Sequence, residues 1–250
     1  MAHSTPHLLP LFVCLLCAAC GPKKAEETKT DTPAEETTPD AKASKKAPAK
    51  KAIDFGAILR APKLATHRAP DTFTVKLETS AGDISMDVTR AWSPKGADRF
   101  YALVRAGYYT DIAFFRVIPG FMAQVGISGD PRLNALWHQS GIPDEPIGAG
   151  LSNTRGMVTY AKGGPNTRST QFFINFGNNG QLDAMGFPPF AKVQDKSMGV
   201  VAKIHSGYGE CAPNGRGPDQ GRLHREGTPY LKRDFPELTF IKRASVVSAP

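Results

Sequence analysis

The interpretation of this 250-residue chain depends first on one stretch, Phe114-Phe115-Arg116-Val117-Ile118-Pro119-Gly120-Phe121-Met122-Ala123-Gln124. It places an arginine on a predicted strand among large apolar residues, where desolvating a guanidinium is costly. A Pro-Gly turn joins the two halves, and Gln124 shares a strand face with Met122 because side chains alternate with a period of two. The pattern predicts a cation held beside an apolar pocket. The alternatives are that Arg116 is a surface residue paired with an acid and that the Phe and Met residues are ordinary core.

A second stretch, residues 163–174 (GGPNTRSTQFFI), predicts a turn that runs into a buried strand. Together the two stretches resemble the signature regions of the cyclophilins, the peptidyl-prolyl cis-trans isomerases. The family patterns are F-H-R-x-I-P-G-F-M-x-Q-G-G and G-P-N-T-N-G-S-Q-F-F-I. The likeness covers residues 72–247 and includes Leu182-Asp183. It implies a mainly β fold, a closed eight-stranded antiparallel barrel capped by two α-helices, with the site on the outer face of one sheet.

The resemblance also implies roles for particular residues. Arg116 is the expected catalytic residue, and Gln124 is expected to position it and the substrate carbonyl. No cofactor or metal is expected, because rotation about a peptide bond needs neither. The expected substrate-binding residues are Phe121, Met122, Ala161, Lys162, Gly163, Gln171, Phe173, Leu182 and Phe187. Among them Phe121, Met122, Phe173 and Leu182 would form the proline pocket, and the backbone of residues 161–163 would hold the extended peptide.

Several positions depart from the family pattern. Phe115 replaces a histidine, Lys162 replaces an asparagine, and Arg168-Ser169 replaces Asn-Gly. Gln181 stands where many members carry the tryptophan that lines the cyclosporin site, so we expect weak binding of that drug. Phe187 falls near the position of the family's pocket-wall histidine.

The rest of the domain follows from hydrophobic periodicity. Alternation over residues 73–77 and 84–88, around a Ser-Ala-Gly-Asp turn, predicts a hairpin. Ser93-Pro94 predicts the start of a helix whose apolar face is Ala97, Phe100, Leu103 and Val104. A second helix is expected over residues 197–204, and short strands are expected at 113–118, 121–125, 157–160, 171–176 and 238–247. Residues 211–230 are interpreted as a long polar surface loop.

The N-terminus has a different character. Residues 8–19 (LLPLFVCLLCAA) have the length of a signal-peptide core and are too short to span a bilayer. The run ends at Cys20, after two alanines, and resembles a bacterial lipobox, although Cys17 stands in place of the usual leucine and the preceding segment lacks Lys and Arg. We expect residues 1–19 to be a lipoprotein signal peptide and Cys20 to be lipidated. An ordinary cleaved signal peptide or a misplaced start codon is the alternative.

Residues 21–52 contain no Val, Ile, Leu, Met or aromatic residue, so they cannot bury enough apolar surface to fold. We assign residues 20–70 to the anchor cysteine and a disordered tether, and residues 71–248 to one domain. A spacer is favoured over an interaction tail. Of the four cysteines, Cys211 alone would remain unmodified in the mature chain, which predicts no disulfide; a bond to Cys20 stays open should Cys20 not be acylated.

The formal net charge of +8 suggests nucleic acid or an anionic membrane surface as a first guess for a partner. The charge is spread along the chain without a dense basic stripe, which argues against nucleic acid, and the histidines lack the spacing of metal ligands. We therefore expect a monomeric, lipid-anchored prolyl isomerase that faces the periplasm and acts on proline-containing envelope proteins, with the outer membrane weakly favoured. The alternative is a tethered cyclophilin-fold module that binds proline peptides without turnover.

Overall fold

The computed structural model describes residues 53–249. The predicted signal peptide, Cys20 and residues 21–52 of the predicted tether lie outside this range. No helix among the described residues is long and apolar enough to cross a membrane.

The predicted hairpin is confirmed at the start of the sheet. β1 (Thr72–Thr79) pairs with β2 (Gly82–Thr89) in antiparallel register from Thr72↔Thr89 to Thr79↔Gly82. Alternate residues of both strands are buried, as the period of two requires. Gly82 has φ +123°, a conformation that side chains rarely adopt, and this lets the turn close tightly.

Seven further strands extend this hairpin into one antiparallel sheet. They are β3 (Ile112–Ala113), β4 (Arg116–Ile118), β5 (Met122–Val125), β6 (Met157–Tyr160), β7 (Phe172–Asn175), β8 (Pro189–Val193) and β9 (Phe240–Ser248). The order across the sheet is β3-β9-β1-β2-β8-β6-β7-β5-β4.

The expectation of a closed eight-stranded barrel is not confirmed. The sheet has nine strands, and its two outermost strands, β3 and β4, do not pair with each other within residues 53–249. Both are short, with two and three residues, because Phe114 and Phe115 interrupt the predicted strand 113–118 between them. Both phenylalanines are buried, but Phe114 belongs to the main core and Phe115 to a second cluster.

The helices differ more from the prediction than the strands do. Their bounds are α1 (Phe55–Arg60), α2 (Pro94–Arg105), α3 (Pro131–His138), α4 (Gln181–Ala184), α5 (Met198–Val201), α6 (Gln220–Glu226) and α7 (Thr228–Asp234). The expected second helix over 197–204 is reduced to the four residues of α5, which contain Gly199, a poor helix former.

The interpretation of residues 211–230 as a polar loop is wrong. Two helices, α6 and α7, are formed in and just beyond this segment, and Leu223, Tyr230 and Leu231 bury their side chains against Cys211 and Phe115. Each helix has only seven residues and contributes one or two apolar side chains, which are too few to show a helical period, so only the packed structure identifies them as buried contacts.

Helix α2 buries the predicted face, since Ala97, Phe100, Leu103 and Val104 are all in the main core. Its N-terminus is capped from a distance rather than by Ser93. The Glu145 carboxylate accepts hydrogen bonds from the Lys95 and Gly96 amides at 2.7 and 3.2 Å. A negative group is favoured at this end of a helix because the first amides lack partners inside it.

Glu145 also holds a buried arginine. The Arg168 side chain is fully buried, and its Nη2 lies 3.0 Å from Oε2 of Glu145. Arg168 also donates to the Pro143 carbonyl and, at 3.1 Å, to Ser93 Oγ. Arg168, which departs from the family pattern, therefore has a structural role. Its hydrogen bonds connect the loop before β7 to the start of α2.

Residues 54–69 were assigned to the disordered tether, but they are ordered and add an N-terminal extension to the predicted domain range. In α1, Ile58 is buried in the main core, and the Leu59 carbonyl accepts a 3.0 Å hydrogen bond from Nε1 of Trp137. The Arg105 guanidinium lies over the Phe55 ring, 4.5 Å from its centroid. These contacts give the segment before residue 71 a defined place on the domain.

We predict that Glu145→Ala destabilises the domain by about 3 to 5 kcal/mol, because it leaves the buried Arg168 charge without its nearest carboxylate. Chemical denaturation measures the change. The control is Glu226→Ala, which removes the partner of the exposed Arg222 and is expected to cost less than about 1 kcal/mol. An equal decrease in the free energy of unfolding of the two variants would show that the buried Arg168–Glu145 pair stabilises the domain no more than an exposed pair does.

Candidate active site

The register of three neighbouring strands places the central site residues in one row. Arg116 of β4 lies opposite Gln124 of β5, and Gln124 lies opposite Phe173 of β7. Residues that face each other across antiparallel strands have Cβ atoms only about 4.5 to 5.5 Å apart. The sheet therefore brings a cation, an amide and an aromatic ring together, as the sequence predicted.

The two faces of these strands have different environments. Val117, Ala123 and Ile174 form the neighbouring row and point into the main core. On the other face, Met122, Phe173 and Leu182 form a separate buried cluster, with the half-buried Ile118, Phe121, Ala161 and Phe187 packed around it. The four residues expected to form the proline pocket thus lie in one apolar patch with a buried floor and a half-exposed rim.

Arg116 uses three of its N–H groups within the protein. Its Nη1 donates to Oε1 of Gln124 at 3.1 Å, while Nε and Nη2 donate to the two carboxylate oxygens of Glu210 at 2.6 and 2.7 Å. The pairing of Arg116 with an acid, which was the alternative to a catalytic role, is therefore present. It coexists with the predicted placement beside the apolar patch.

Gln124 links Arg116 to the next predicted residue. Its side chain is buried, its Oε1 accepts from Arg116, and its Nε2 donates to Oε1 of Gln171 at 2.9 Å. This chain of hydrogen bonds fixes the orientation of the Gln124 amide, because only its oxygen can accept from a guanidinium.

Glu210 was not identified from the sequence. It lies 94 positions after Arg116, in the Gly-rich stretch 207–217, and no motif marks it. Burial of its carboxyl opposes ionisation, but the hydrogen bonds and charge of Arg116 and the amide of Cys211 lower the pKa of Glu210 below the ordinary value of 4.5. Glu210 is therefore a charged partner at neutral pH.

Leu182 and Phe187 are held in place by a polar network beneath them. The Asp183 carboxylate accepts from the Ser152 hydroxyl and from both the amide and Nδ2 of Asn153. Nδ2 of Asn153 also donates to the Phe187 carbonyl at 2.8 Å. The Phe187 ring lies 6.2 Å from that of Phe173 in an edge-to-face arrangement. This places Phe187 at the wall of the patch, where the sequence expected it.

The backbone of residues 161–163 is only partly available to a peptide. The Ala161 amide donates to the Gln171 carbonyl at 2.9 Å, and the Gly163 amide donates to Oγ1 of Thr167 at 3.0 Å. A bound peptide would have to pair with other backbone groups of this segment. The Lys162 ammonium lies 5.2 Å from the centroid of the Phe187 ring and 3.4 Å from Asp144, so it braces the wall of the patch.

The site is a surface patch rather than a deep cavity. A cavity of about 230 Å³ lies behind the Pro-Gly turn. It is lined by Pro119, Gly120, Arg155, Phe176, Met198, Val201, Ala202, Ile204 and Ser206. These residues include none of those predicted to bind substrate.

Burial raises the pKa of the Cys211 thiol to about 12, so this neighbour of Glu210 is not a thiolate at neutral pH. Among residues 53–249, no group of three or more His, Cys, Asp or Glu side chains is arranged to hold a metal ion.

Comparison with known proteins identifies a family for most of the domain. Residues 74–220 match the family described as cyclophilin type peptidyl-prolyl cis-trans isomerase/CLD. The chain is similar to a human protein named peptidyl-prolyl cis-trans isomerase-like 3, with 39% identity over 127 residues that cover 49% of this chain and 76% of the relative. It is also similar to CYP18-1 of Arabidopsis thaliana, named a peptidyl-prolyl cis-trans isomerase, with 33% identity over 55% of this chain and 87% of the relative.

A solved structure supports the fold. A cyclophilin type peptidyl-prolyl cis-trans isomerase of Cryptosporidium parvum superposes with a TM-score of 0.52 over 72% of this chain and 99% of its own, at 24% identity. The human, plant and protozoan proteins are all eukaryotic. The bacterial lipoprotein signal expected from the sequence stays a prediction.

We predict that Asp183→Ala weakens the wall of the patch and destabilises the domain by about 1 to 3 kcal/mol, since it leaves the Ser152 hydroxyl and the backbone amide of the buried Asn153 without their acceptor. Denaturation measures the loss, and faster amide exchange at residues 182–187 localises it. Asp195→Ala, at an exposed aspartate, is the control.

The destabilisation caused by Asp183→Ala should become smaller as the pH falls. Burial opposes ionisation of Asp183, but the hydrogen bonds from Ser152 and Asn153 lower its pKa below the ordinary value of 3.8. The contribution of Asp183 is thus complete above pH 3.8 and is lost as the pH falls through the lower pKa of the folded state. The stability difference between wild type and Asp183→Ala should narrow in acid, and a constant difference would contradict this account.

Proposed function

The chain belongs to the cyclophilin-type peptidyl-prolyl cis-trans isomerase family, and on that premise we propose that its domain accelerates the cis-trans isomerisation of X-Pro peptide bonds. The observation that carries the proposal is the row formed by Arg116, Gln124 and Phe173 across three strands, next to a half-exposed apolar patch. This arrangement would supply the two things that the reaction needs, a place for a proline ring and a cation beside it.

The reaction requires no bond to be broken. The barrier to rotation about a peptide bond is about 18 to 20 kcal/mol, because the nitrogen lone pair is delocalised into the carbonyl. In the twisted state this delocalisation is lost and the lone pair returns to the prolyl nitrogen. A site that binds the twisted amide better than either planar form lowers the barrier, and each 1.36 kcal/mol of that preference is a tenfold gain in rate.

The side chains divide this task. Phe121, Met122, Phe173 and Leu182 present the apolar surface on which the proline ring would pack. Arg116 has five N–H groups, of which three are used by Glu210 and Gln124. The two that remain lie on its terminal nitrogens and would donate to the prolyl amide as it twists. A donor oriented before the substrate binds stabilises the developing charge without reorganisation.

A second candidate function is a binding module that captures proline-containing segments without turnover. One observation favours it: the Arg116 guanidinium is already neutralised by a two-point ion pair with Glu210, which weakens its attraction for the prolyl nitrogen. The two candidates share the apolar patch and differ in the rate of isomerisation, so an activity assay separates them.

We predict that the purified domain accelerates isomerisation of an Ala-Pro peptide in a protease-coupled assay, and that Arg116→Ala lowers kcat/KM by about 100-fold or more, the scale for loss of one transition-state donor. Arg243→Ala is the control, because this exposed arginine pairs with Glu78 elsewhere on the sheet. A wild-type domain that binds the peptide without accelerating isomerisation would favour the binding module. An Arg116→Ala variant as active as wild type would overturn the role of Arg116.

We also propose a cellular setting, which rests on the sequence alone. The apolar run that ends at Cys20 and the tether composition of residues 21–52 support a lipid anchor on Cys20, with the domain held on the periplasmic side of a membrane. The substrates would then be proline-containing proteins that fold in the cell envelope, with the outer membrane as the favoured site.

The anchor predicts that the full chain incorporates labelled palmitate when expressed in a bacterium and that Cys20→Ala abolishes the label. Cys211→Ala is the control, because Cys211 is buried in the domain and should leave labelling unchanged. Labelling that persists in Cys20→Ala, or is absent from the wild-type chain, would rule out the anchor at Cys20.

A further inference from the structure

We propose that Glu210 is a positioning residue for Arg116, which sets the orientation of the guanidinium before a substrate binds. The proposal rests on the function proposed above and extends it to a residue outside the two motifs that resemble the family. Glu210 acts through Arg116 and need not touch the prolyl amide itself.

The contact between the two side chains has a fixed geometry. Both carboxylate oxygens of Glu210 accept from Arg116, one from Nε at 2.6 Å and the other from Nη2 at 2.7 Å. A two-point pair of this kind fixes the plane and the rotation of the guanidinium, which a single hydrogen bond cannot do. The pair is mostly shielded from water, since the Arg116 and Glu210 side chains are 27% and 34% exposed.

The Glu210 carboxylate is itself held by its own loop. Its Oε1 accepts from the Cys211 amide at 2.8 Å, and the Glu210 carbonyl accepts from the Gly217 amide at 2.7 Å. The turn between them closes through a 3.0 Å hydrogen bond from the Gly215 amide to the Cys211 carbonyl. A Cβ on Gly215 would collide with the Glu210 carbonyl, so glycine is required there.

The loop is anchored to the domain by the second hydrophobic cluster. Cys211 is buried in this cluster together with Phe115, the residue that precedes Arg116 on the chain, and with Tyr230 and Leu231 of α7. The segment that carries Glu210 and the strand that carries Arg116 therefore share one packed support. The Glu210 carboxylate is therefore held in one position relative to Arg116, unlike the carboxylate of a mobile surface acid.

The way in which Glu210 and Gln124 share the N–H groups of Arg116 explains why this pairing would aid the reaction. Glu210 occupies the edge of the guanidinium formed by Nε and Nη2, and Gln124 holds Nη1. The donors that remain are on the two terminal nitrogens, whose direction is then set by the protein. Without Glu210 the long arginine side chain would sample several rotamers, and fewer of them would direct a donor at the prolyl nitrogen.

A double-mutant cycle tests the proposal. We expect Glu210→Ala to lower kcat for the Ala-Pro peptide by about 10- to 100-fold while KM changes by less than about threefold, because orientation rather than ground-state binding is lost. Glu210→Gln, which keeps one acceptor oxygen and nearly the same shape, should retain more activity than Glu210→Ala. In an Arg116→Ala background, Glu210→Ala should have no further effect, because a positioning residue acts only through the residue it positions.

A spectroscopic measurement gives a second readout that does not depend on activity. The ¹⁵N-labelled Nε–H signal of Arg116, assigned by its loss in Arg116→Ala, should exchange slowly with water in the wild type. It should exchange faster in Glu210→Ala. Glu226→Ala, which removes the two-point partner of Arg222 on α6, is the matched control and should leave both the Arg116 signal and the activity unchanged.

The outcomes separate this proposal from the proposed function. Failure of the wild-type domain to accelerate isomerisation would overturn the proposed function, while the Nε–H signal would still report on the orientation of Arg116. Glu210→Ala that is as active as wild type, or more active, would overturn the positioning role and make Glu210 a competitor for the guanidinium. If Glu210→Ala lowered kcat as much in the Arg116→Ala background as in the wild type, Glu210 would support the fold and not the orientation of Arg116. Thermal unfolding of Glu210→Ala and Glu210→Gln would then measure the loss of stability.

Discussion

The site depends on the antiparallel register of β4, β5 and β7. This register sets Arg116, Gln124 and Phe173 in one row on one face, while the neighbouring row, Val117, Ala123 and Ile174, points into the main core. Because side chains alternate between faces, a slip of one residue would exchange the two rows, burying a guanidinium in the core and exposing aliphatic residues. The core that stabilises the sheet therefore also specifies the site.

An arginine beside an apolar patch must keep its hydrogen bonds satisfied, and this requirement shapes the surrounding structure. Gln124 accepts one hydrogen bond from the adjacent strand, and Glu210 accepts two from a distant loop, which leaves two of the five N–H groups of Arg116. Phe115 is central to this support. It departs from the family pattern, and its buried side chain packs against Cys211, the residue that follows Glu210. Glu210, the partner of the predicted catalytic residue, thus lies immediately before the segment that was interpreted as a surface loop.

Two other departures from the family pattern, Arg168 and Lys162, also have structural roles. Arg168 is fully buried and joins Glu145 to the N-terminus of α2. Lys162 braces Phe187 and Asp144 at the wall of the patch. Both of these charged side chains are paired with a carboxylate, Arg168 with Glu145 and Lys162 with Asp144, as charges removed from water require. The patch itself keeps the apolar residues that the resemblance implied.

Local periodicity and the two motifs predicted the first hairpin, helix α2 and the strands around the Pro-Gly turn, and the family resemblance implied most members of the apolar patch. The sequence by itself did not reveal the nine-strand order of the sheet, helices α6 and α7, the distant cap supplied by Glu145, or the pairing of Arg116 with Glu210. Each of these depends on residues far apart in the chain, and no local pattern records which acid will meet which arginine. Such partners become neighbours only when the chain packs into its tertiary structure. An unpaired charge is costly only once it is buried, so the need for a partner also arises only in the packed structure.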